Sequence, residues 1–191
     1  MGDDVGSQPK FLEGDRLYLR SLSEGDADGP YTGWLNDAVV SQGTSHHVYP
    51  YSKQQAIEYI QRAASTQTAL ILAIVLKEGD RHIGNIALQQ INWIHRSAEF
   101  AILLGDTEQW GRGCGLEAGH LLLRHGFMTL NLNRIGCATF ETNVGMRKLA
   151  GALGMIEEGV RRQAAYKDGR YLDVVEYGLL RAEFERRVVA S

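Results

Sequence analysis

The chain is poor in cysteine and proline and carries no large excess of charge of either sign. Of its 191 residues only two are Cys and three Pro, and the formal net charge is −3. Two cysteines, Cys114 and Cys137, are too few for a disulfide framework and fit a reduced, cytoplasmic setting. A slightly acidic balance leaves no electrostatic footprint for nucleic acid. No apolar run approaches the ~20 residues of a membrane span. The opening "MGDDVGSQPK" is polar and acidic with no apolar stretch behind it, so residues 1–10 read as a disordered tail and not as a signal peptide. Metal-ligand spacing is missing too. The adjacent His46 and His47 have no partner cluster and read as a loop. Nucleic acid, membrane and metal therefore drop out as expected partners.

What remains is an ordinary globular composition, 44% hydrophobic and 23% charged, long enough for one domain over residues 1–191 with a real core. "DRLYLRSL" alternates as a half-buried strand does. A short helix is expected from Asp26 to about Asn36. In "YSKQQAIEYIQRAAS", Ser52 and Gln55 have capping-box spacing before a helical apolar repeat. Three strands follow, Leu70–Leu76, His82–Ile91 and Ala98–Leu104, joined by turns short enough for an antiparallel meander. After a glycine-rich stretch, Leu116, Leu123, Phe127 and Leu130 share one helix face. "RIGCATF" is a strand, "NVGMRKLAGALGM" a helix closed by Gly154, and Met155–Tyr166 and Tyr171–Leu180 a hairpin about "KDG". The class is α+β with a mixed sheet of seven strands.

The glycine-rich stretch, "EQWGRGCGLEAGHLLLRHGF", holds four glycines between Gly111 and Gly119. Each weakens regular structure by ~0.5–1 kcal/mol relative to alanine, so something must need the bare backbone. A helix N-terminus offers unpaired N–H donors and about half a positive charge. Glycines just before it let a diphosphate approach closely. The candidate donors are the amides of Gly113, Cys114, Gly115 and Leu116, with Arg112 adding charge from the rim. "GCGLEA" also satisfies a loose dinucleotide pattern, with Glu141 ending the next strand. That pattern belongs directly after a parallel strand in a βαβ series, which the meander does not provide. A glycine loop that only closes a turn is the other alternative.

These residues resemble the GNAT superfamily of acetyl-CoA-dependent N-acetyltransferases, over about Asp15 to Phe184. The resemblance is strongest to the branch holding the ribosomal-protein N-terminal acetyltransferases, with spermidine and amino-sugar acetyltransferases as relatives. The family's cofactor motif, Gln/Arg-x-x-Gly-x-Gly/Ala, matches Trp110-Gly111-Arg112-Gly113-Cys114-Gly115, with Trp110 replacing the leading residue. "RSAEFAIL" resembles the strand before that motif, and "ETNVGMRKLAGALGM" the helix after it. "EEGVRRQAAYKDGRYLDVVEYGLL" resembles the closing hairpin, and "WLND" at Trp34–Asp37 is also typical.

The resemblance implies a central parallel pair of strands splayed into a V, one ending at Leu104 and the other being Arg134–Phe140. Acetyl-CoA is expected in the V, its diphosphate on Gly113–Leu116 and its thioester near the backbone of Ala101, Ile102 and Leu103. Asn143 matches an asparagine reaching toward the cofactor arm, and serves equally well as an N-cap. An alkyl ammonium is only about one part in a thousand neutral at pH 7, and deprotonating it costs about 4–5 kcal/mol. A base or water chain must take that proton. Glu99 is the first candidate, with an exposed strand carboxylate as the plain alternative, and Glu141 is the second. His95 and His120 are weaker. Many relatives protonate the departing thiolate with a Tyr or Ser at positions that hold Ala150 and Met146 here, which leaves water, Thr142 or Tyr166. Cys114 reads as a small cofactor-facing filler.

Trp34, Tyr51, Trp93 and Tyr166 are the candidate acceptor-binding aromatics. The acceptor is expected to be a primary amine, either a peptide N-terminus or a small molecule such as a polyamine or amino sugar. A non-catalytic acyl-CoA-binding module is the competing reading. Relatives are often dimers, and Tyr171–Leu180 is the strand expected to pair across a two-fold axis.

Overall fold

A computed structural model of the protein describes residues 8–189. Alternating apolar residues build an eight-stranded sheet: β1 (Lys10–Glu13), β2 (Leu17–Ser21), β3 (Leu70–Leu76), β4 (Arg81–Asn92), β5 (Ser97–Leu104), β6 (Arg134–Phe140), β7 (Ile156–Lys167) and β8 (Arg170–Leu180). Their order is β1-β2-β3-β4-β5-β6-β8-β7. Every neighbouring pair is antiparallel except β5 and β6. The strand beyond the seven expected is β1. The first seven residues of the expected tail lie outside the described residues, but from Lys10 the chain is already paired to β2.

The helices are α1 (Tyr31–Asn36), α2 (Ala38–Ser41), α3 (Lys53–Ser65), α4 (Cys114–Arg124), α5 (Val144–Leu153) and α6 (Arg181–Val189). The single helix expected over residues 26–36 is split, a 3₁₀ turn at Glu24–Asp28 followed by α1. Gly29 and Pro30 lie at the break, and Pro cannot continue a helix from the preceding turn. The expected capping box of α3 is present: Ser52 Oγ accepts from the Gln55 amide at 3.2 Å, and Gln55 Oε1 accepts from the Ser52 amide at 2.8 Å. Gly154 closes α5 in the left-handed region. Asp168 and Gly169, both at positive φ, make the tight turn of the last hairpin.

Side chains alternate between the two faces of the sheet. Ala98 and Phe100 of β5 join Leu17, Leu72, Ile86, Leu88 and Ile135 under α4, forming the main core. Leu103 on the opposite face packs with Tyr18, Trp34, Leu35 and Ile60 under the N-terminal helices. A buried ion pair pins those helices to the sheet: Arg20 reaches Asp26 at 2.7 and 2.9 Å, both side chains being almost enclosed. β8 lies between β6 and β7, with both edges paired. Paired on both sides over Val174–Gly178, the strand expected to pair with a second copy offers little open edge for it. β7 is the outer strand instead.

Candidate active site

The parallel pair is short. β5 and β6 align only at Ser97 with Arg134, Ala98 with Ile135 and Glu99 with Gly136. Beyond that point Phe100–Leu104 pair with β4 alone, and Cys137–Phe140 with β8 alone. The two strands thus diverge after Glu99 and open a cleft, the V that the sequence implied. The Arg96 carbonyl turns toward β6, accepting from the Arg134 amide at 3.2 Å. Backbone groups alternate between the two edges of a strand, so the same edge carries the N–H and C=O of Ala98, Phe100, Ile102 and Leu104. Among Ala101, Ile102 and Leu103, Ile102 is therefore the residue whose peptide group faces the cleft. The Leu104 carbonyl is already taken, by Trp110 Nε1 at 2.8 Å.

The glycine loop leads from the open end of β5 into α4. Gly113 is the N-cap at φ 83° and ψ −2°, and its neighbour Gly111 has φ 72°. Both angles favour glycine. No side chain caps the helix. Among the described residues no acceptor meets the amides of Gly113, Cys114, Gly115 or Leu116. Four donors at the positive end of an eleven-residue helix are therefore unspent. Gly115 has a packing reason as well, since a Cβ there would lie 3.3 Å from Leu104 Cδ1. Cys114 is buried, its thiol 3.8 Å from Gln109 Oε1. The bare amides and the open β5 edge together fit a cofactor that carries a diphosphate at one end and an amide-bearing arm at the other.

Glu99 stands where the strands part, on the sheet face away from α4. Its carboxylate lies over Gly136, where a Cβ would come within 3.4 Å of Oε1. Among the described residues no donor hydrogen-bonds to it. Burial pushes its carboxyl above the usual range, opposed by Arg134 and Arg161 and reinforced by Glu176 and Glu158. The neighbouring charges are otherwise committed: Arg134 to Glu158 with Nη1 to Oε1 at 2.6 Å, and Arg161 to Glu176 at 2.7 Å. Glu99 is the carboxylate of this group without a bonded cation. Glu141 sits outside the cleft, in the exposed turn after β6, where Oε1 accepts from the Asp173 amide at 3.2 Å.

Asn143 caps α5, with Oδ1 accepting from the Met146 amide at 3.0 Å. Its Nδ2 donates to the Gly43 carbonyl at 3.0 Å, so it also ties down the segment after α2. Lys167 reinforces that tie through the carbonyls of Ser41 at 3.2 Å and His46 at 2.9 Å. The aromatics divide. Trp34 is buried between His82 and Gly105 and presents no open ring face. Tyr51 is half-buried beside Tyr31, its hydroxyl donating to the Gln55 carbonyl. Trp93 is half-exposed in the turn that starts β5, the end of the strand opposite the glycine loop. Tyr166 is exposed at the hairpin tip, edge-on to Tyr171. His95 lies in the same turn as Trp93, and His120 is exposed on α4. Ala150 is buried in the core and Met146 packs against it. The cleft residue that sequence reasoning missed is Arg16, which precedes β2 and reaches the glycine loop. Its contact spans 96 residues of chain, which no local pattern reveals.

Comparisons with known proteins agree with this geometry. Residues 16–156 match the family model described as an acetyltransferase (GNAT) domain. An N-acetyltransferase of Bacillus subtilis, YoaA, is 30% identical over 174 residues, covering 90% of this chain and 97% of that protein. The putative ribosomal N-acetyltransferase YdaF of the same organism is 31% identical over 102 residues, 53% of this chain and 55% of that protein. The crystal structure of the spermidine N-acetyltransferase from Vibrio cholerae in complex with CoA and spermine superposes with a TM-score of 0.81 at 26% identity, covering 89% of this chain and 98% of that one. Among the described residues no helix is long and apolar enough to cross a membrane, and no His, Cys, Asp and Glu cluster has the makings of a metal site. A parallel seam only three residue pairs long, a bare-amide helix start and a matching family model over most of the chain lead to one assignment: the chain belongs to the GNAT acetyltransferases, the acetyl-CoA-dependent acyltransferases.

Proposed function

We propose that this protein acetylates a primary amine that arrives as a cation, and that Glu99 takes the proton from it. The observation that carries this is the Glu99 carboxylate, unpaired at the point where β5 and β6 separate. An incoming ammonium supplies the cation this group lacks. As burial shifts its carboxyl upward, Glu99 is a better proton acceptor than an ordinary glutamate, and this lowers part of the ~4–5 kcal/mol deprotonation cost. The bound thioester supplies the activated acyl carbon. The loop amides at Gly113–Leu116 hold the diphosphate, and the β5 edge at Ile102 orients the arm. With Ala150 buried and Met146 apolar, the proton for the leaving sulfur comes from solvent at the cleft mouth.

The acceptor face favours a small amine over a peptide N-terminus. The floor beside Glu99 is made of Gly136 and Gly178, which are cross-strand partners. The carboxylate and the Arg134–Glu158 pair lie across these glycines. A charged surface of this kind, with one carboxylate lacking a bonded cation, supports an aliphatic ammonium as the acceptor. The spermidine-acetylating enzyme with a similar fold supports the same reading. Two free, buried cysteines support a reduced, cytoplasmic setting for the enzyme.

The test is release of free CoA from acetyl-CoA across a panel of diamines, polyamines, amino sugars and peptides with free N-termini. Turnover of the aliphatic amines above the peptides is expected. Turnover of peptides alone would overturn the acceptor assignment. Tight CoA binding without turnover of any amine would overturn the enzymatic reading in favour of a binding module.

A further inference from the structure

We propose that Arg16 is the side-chain arm of the diphosphate cradle, acting with the bare amides of α4. This rests on the reading of the Gly113–Leu116 loop as the acetyl-CoA site. Arg16 lies just before β2, far from the loop in sequence, yet its guanidinium crosses to it. Nη1 donates to the Arg112 carbonyl at 2.8 Å, and Nε donates to Glu117 Oε2 at 3.0 Å. The remaining nitrogen, Nη2, lies over the N-cap, 3.1 Å from where a Cβ on Gly113 would stand. Among the described residues nothing accepts from it.

The arrangement is built from both sides. Glu117, on the first turn of α4, accepts from the amides of Arg16 at 2.8 Å and Leu17 at 3.3 Å with Oε1, while Oε2 holds Nε. The guanidinium is thereby held at two points, the Arg112 carbonyl and Glu117 Oε2, with Nη2 left beside the left-handed glycine. A planar fork fixed in advance loses little freedom when an anion arrives, and it suits a phosphate better than a flexible ammonium does. The glycine at position 113 has a second reason here, because a side chain there would press on the guanidinium. Arg112 differs from Arg16. Its carbonyl is held, but its side chain is exposed and has no bonded partner among the described residues.

The experiment measures CoA affinity by calorimetry in the wild type, Arg16→Gln and Arg16→Lys, alongside kcat/KM with S-acetylpantetheine, a thioester that has no diphosphate. Loss of one charge-assisted donor predicts about a tenfold weaker CoA Kd for Arg16→Gln, with a smaller loss for Arg16→Lys and unchanged turnover of S-acetylpantetheine. Unchanged CoA affinity in Arg16→Gln overturns the proposal. So does an equal loss with the truncated thioester, which would make Arg16 a structural tie only. If Arg16→Gln does not fold, Arg16→Lys keeps the charge beside Glu117 and gives the same comparison. Should the wild type bind CoA no better than pantetheine, the loop reading itself fails, and that result is distinct from either outcome for Arg16.

Discussion

Gly111 and Gly113 offer a controlled test of what the glycine loop does. Both have positive φ, 72° and 83°. Alanine at either position is forced into the left-handed region at a cost of about 1–2 kcal/mol. For a domain of this size that corresponds to a melting point lower by about 2–8 °C in each variant. Their surroundings differ. A Cβ on Gly111 meets nothing within 4 Å, whereas one on Gly113 comes within 3.1 Å of Arg16 Nη2, beside the uncapped amides proposed to hold the diphosphate. Gly111→Ala and Gly113→Ala should therefore lose similar stability, while only Gly113→Ala loses CoA affinity, by about tenfold or more if a single charge-assisted contact is broken. Thermal melts with and without CoA read both quantities in one experiment. Equal CoA-induced stabilisation in the two variants would refute the claim that the ligand comes up against residue 113. A loss in both would shift the point of contact toward residue 111.

Glu99→Gln should lower kcat by about 10²–10⁴-fold and remove the acid limb of the pH–rate profile, which lies above the ordinary carboxylate range because the group is shifted upward by burial. The same shift means that the folded state resists ionising Glu99. The variant should therefore melt no lower than wild type above that range, and a large loss of stability would contradict the assignment. Asp26 shows the opposite sign. Burial disfavours its charge, but the hydrogen bonds from Arg20 and the Ser23 amide, with the His82 ring close by, outweigh it and hold the carboxyl below the usual range. Its contribution is full above about pH 4 and fades as pH falls further, so Asp26→Asn should flatten the acid end of a stability–pH curve. The variant should also cost about 3–5 kcal/mol at pH 7 by stranding Arg20. Gly105→Ala places a methyl inside the Trp34 ring; chemical denaturation should show a loss of at least about 1–3 kcal/mol from forced repacking, and wild-type stability would show that α1 is only loosely seated.

Local chemistry made much of this legible. Ser52 with Gln55, Asp168 with Gly169 and Gly154 each act within a few residues, and each stands in the structure as its residue type demands. The glycine loop was legible because its cost requires a reason. Strand β1 was not, since four residues of which only Leu12 is even half-buried carry almost no alternation. The turn His125–Thr129 winds as a π-helix after α4, a change of period invisible in an apolar face that continues through Phe127. Trp34 stood among the candidate acceptor-binding aromatics because nothing in "WLND" shows that Gly105, 71 residues later, leaves a slot for its ring. Arg16 with Glu117 and Asn143 with Gly43 belong to the same class, polar contacts made across the fold. Glu99 lay between these cases: its place on the strand was readable, its lack of a partner was not.

The brevity of the contact between β5 and β6 has a mechanical consequence. Three aligned residue pairs join a five-stranded N-terminal leaf to a three-stranded C-terminal leaf. Prying the leaves apart beyond Glu99 breaks no rung of either, so what limits the slot is the shared core under α4 and the ties of Asn143 to Gly43 and of Lys167 to Ser41 and His46. Amide protons along Phe100 to Leu104 that face the slot should exchange with deuterium far faster than their neighbours turned toward β4, and an occupant lying along that edge should slow them.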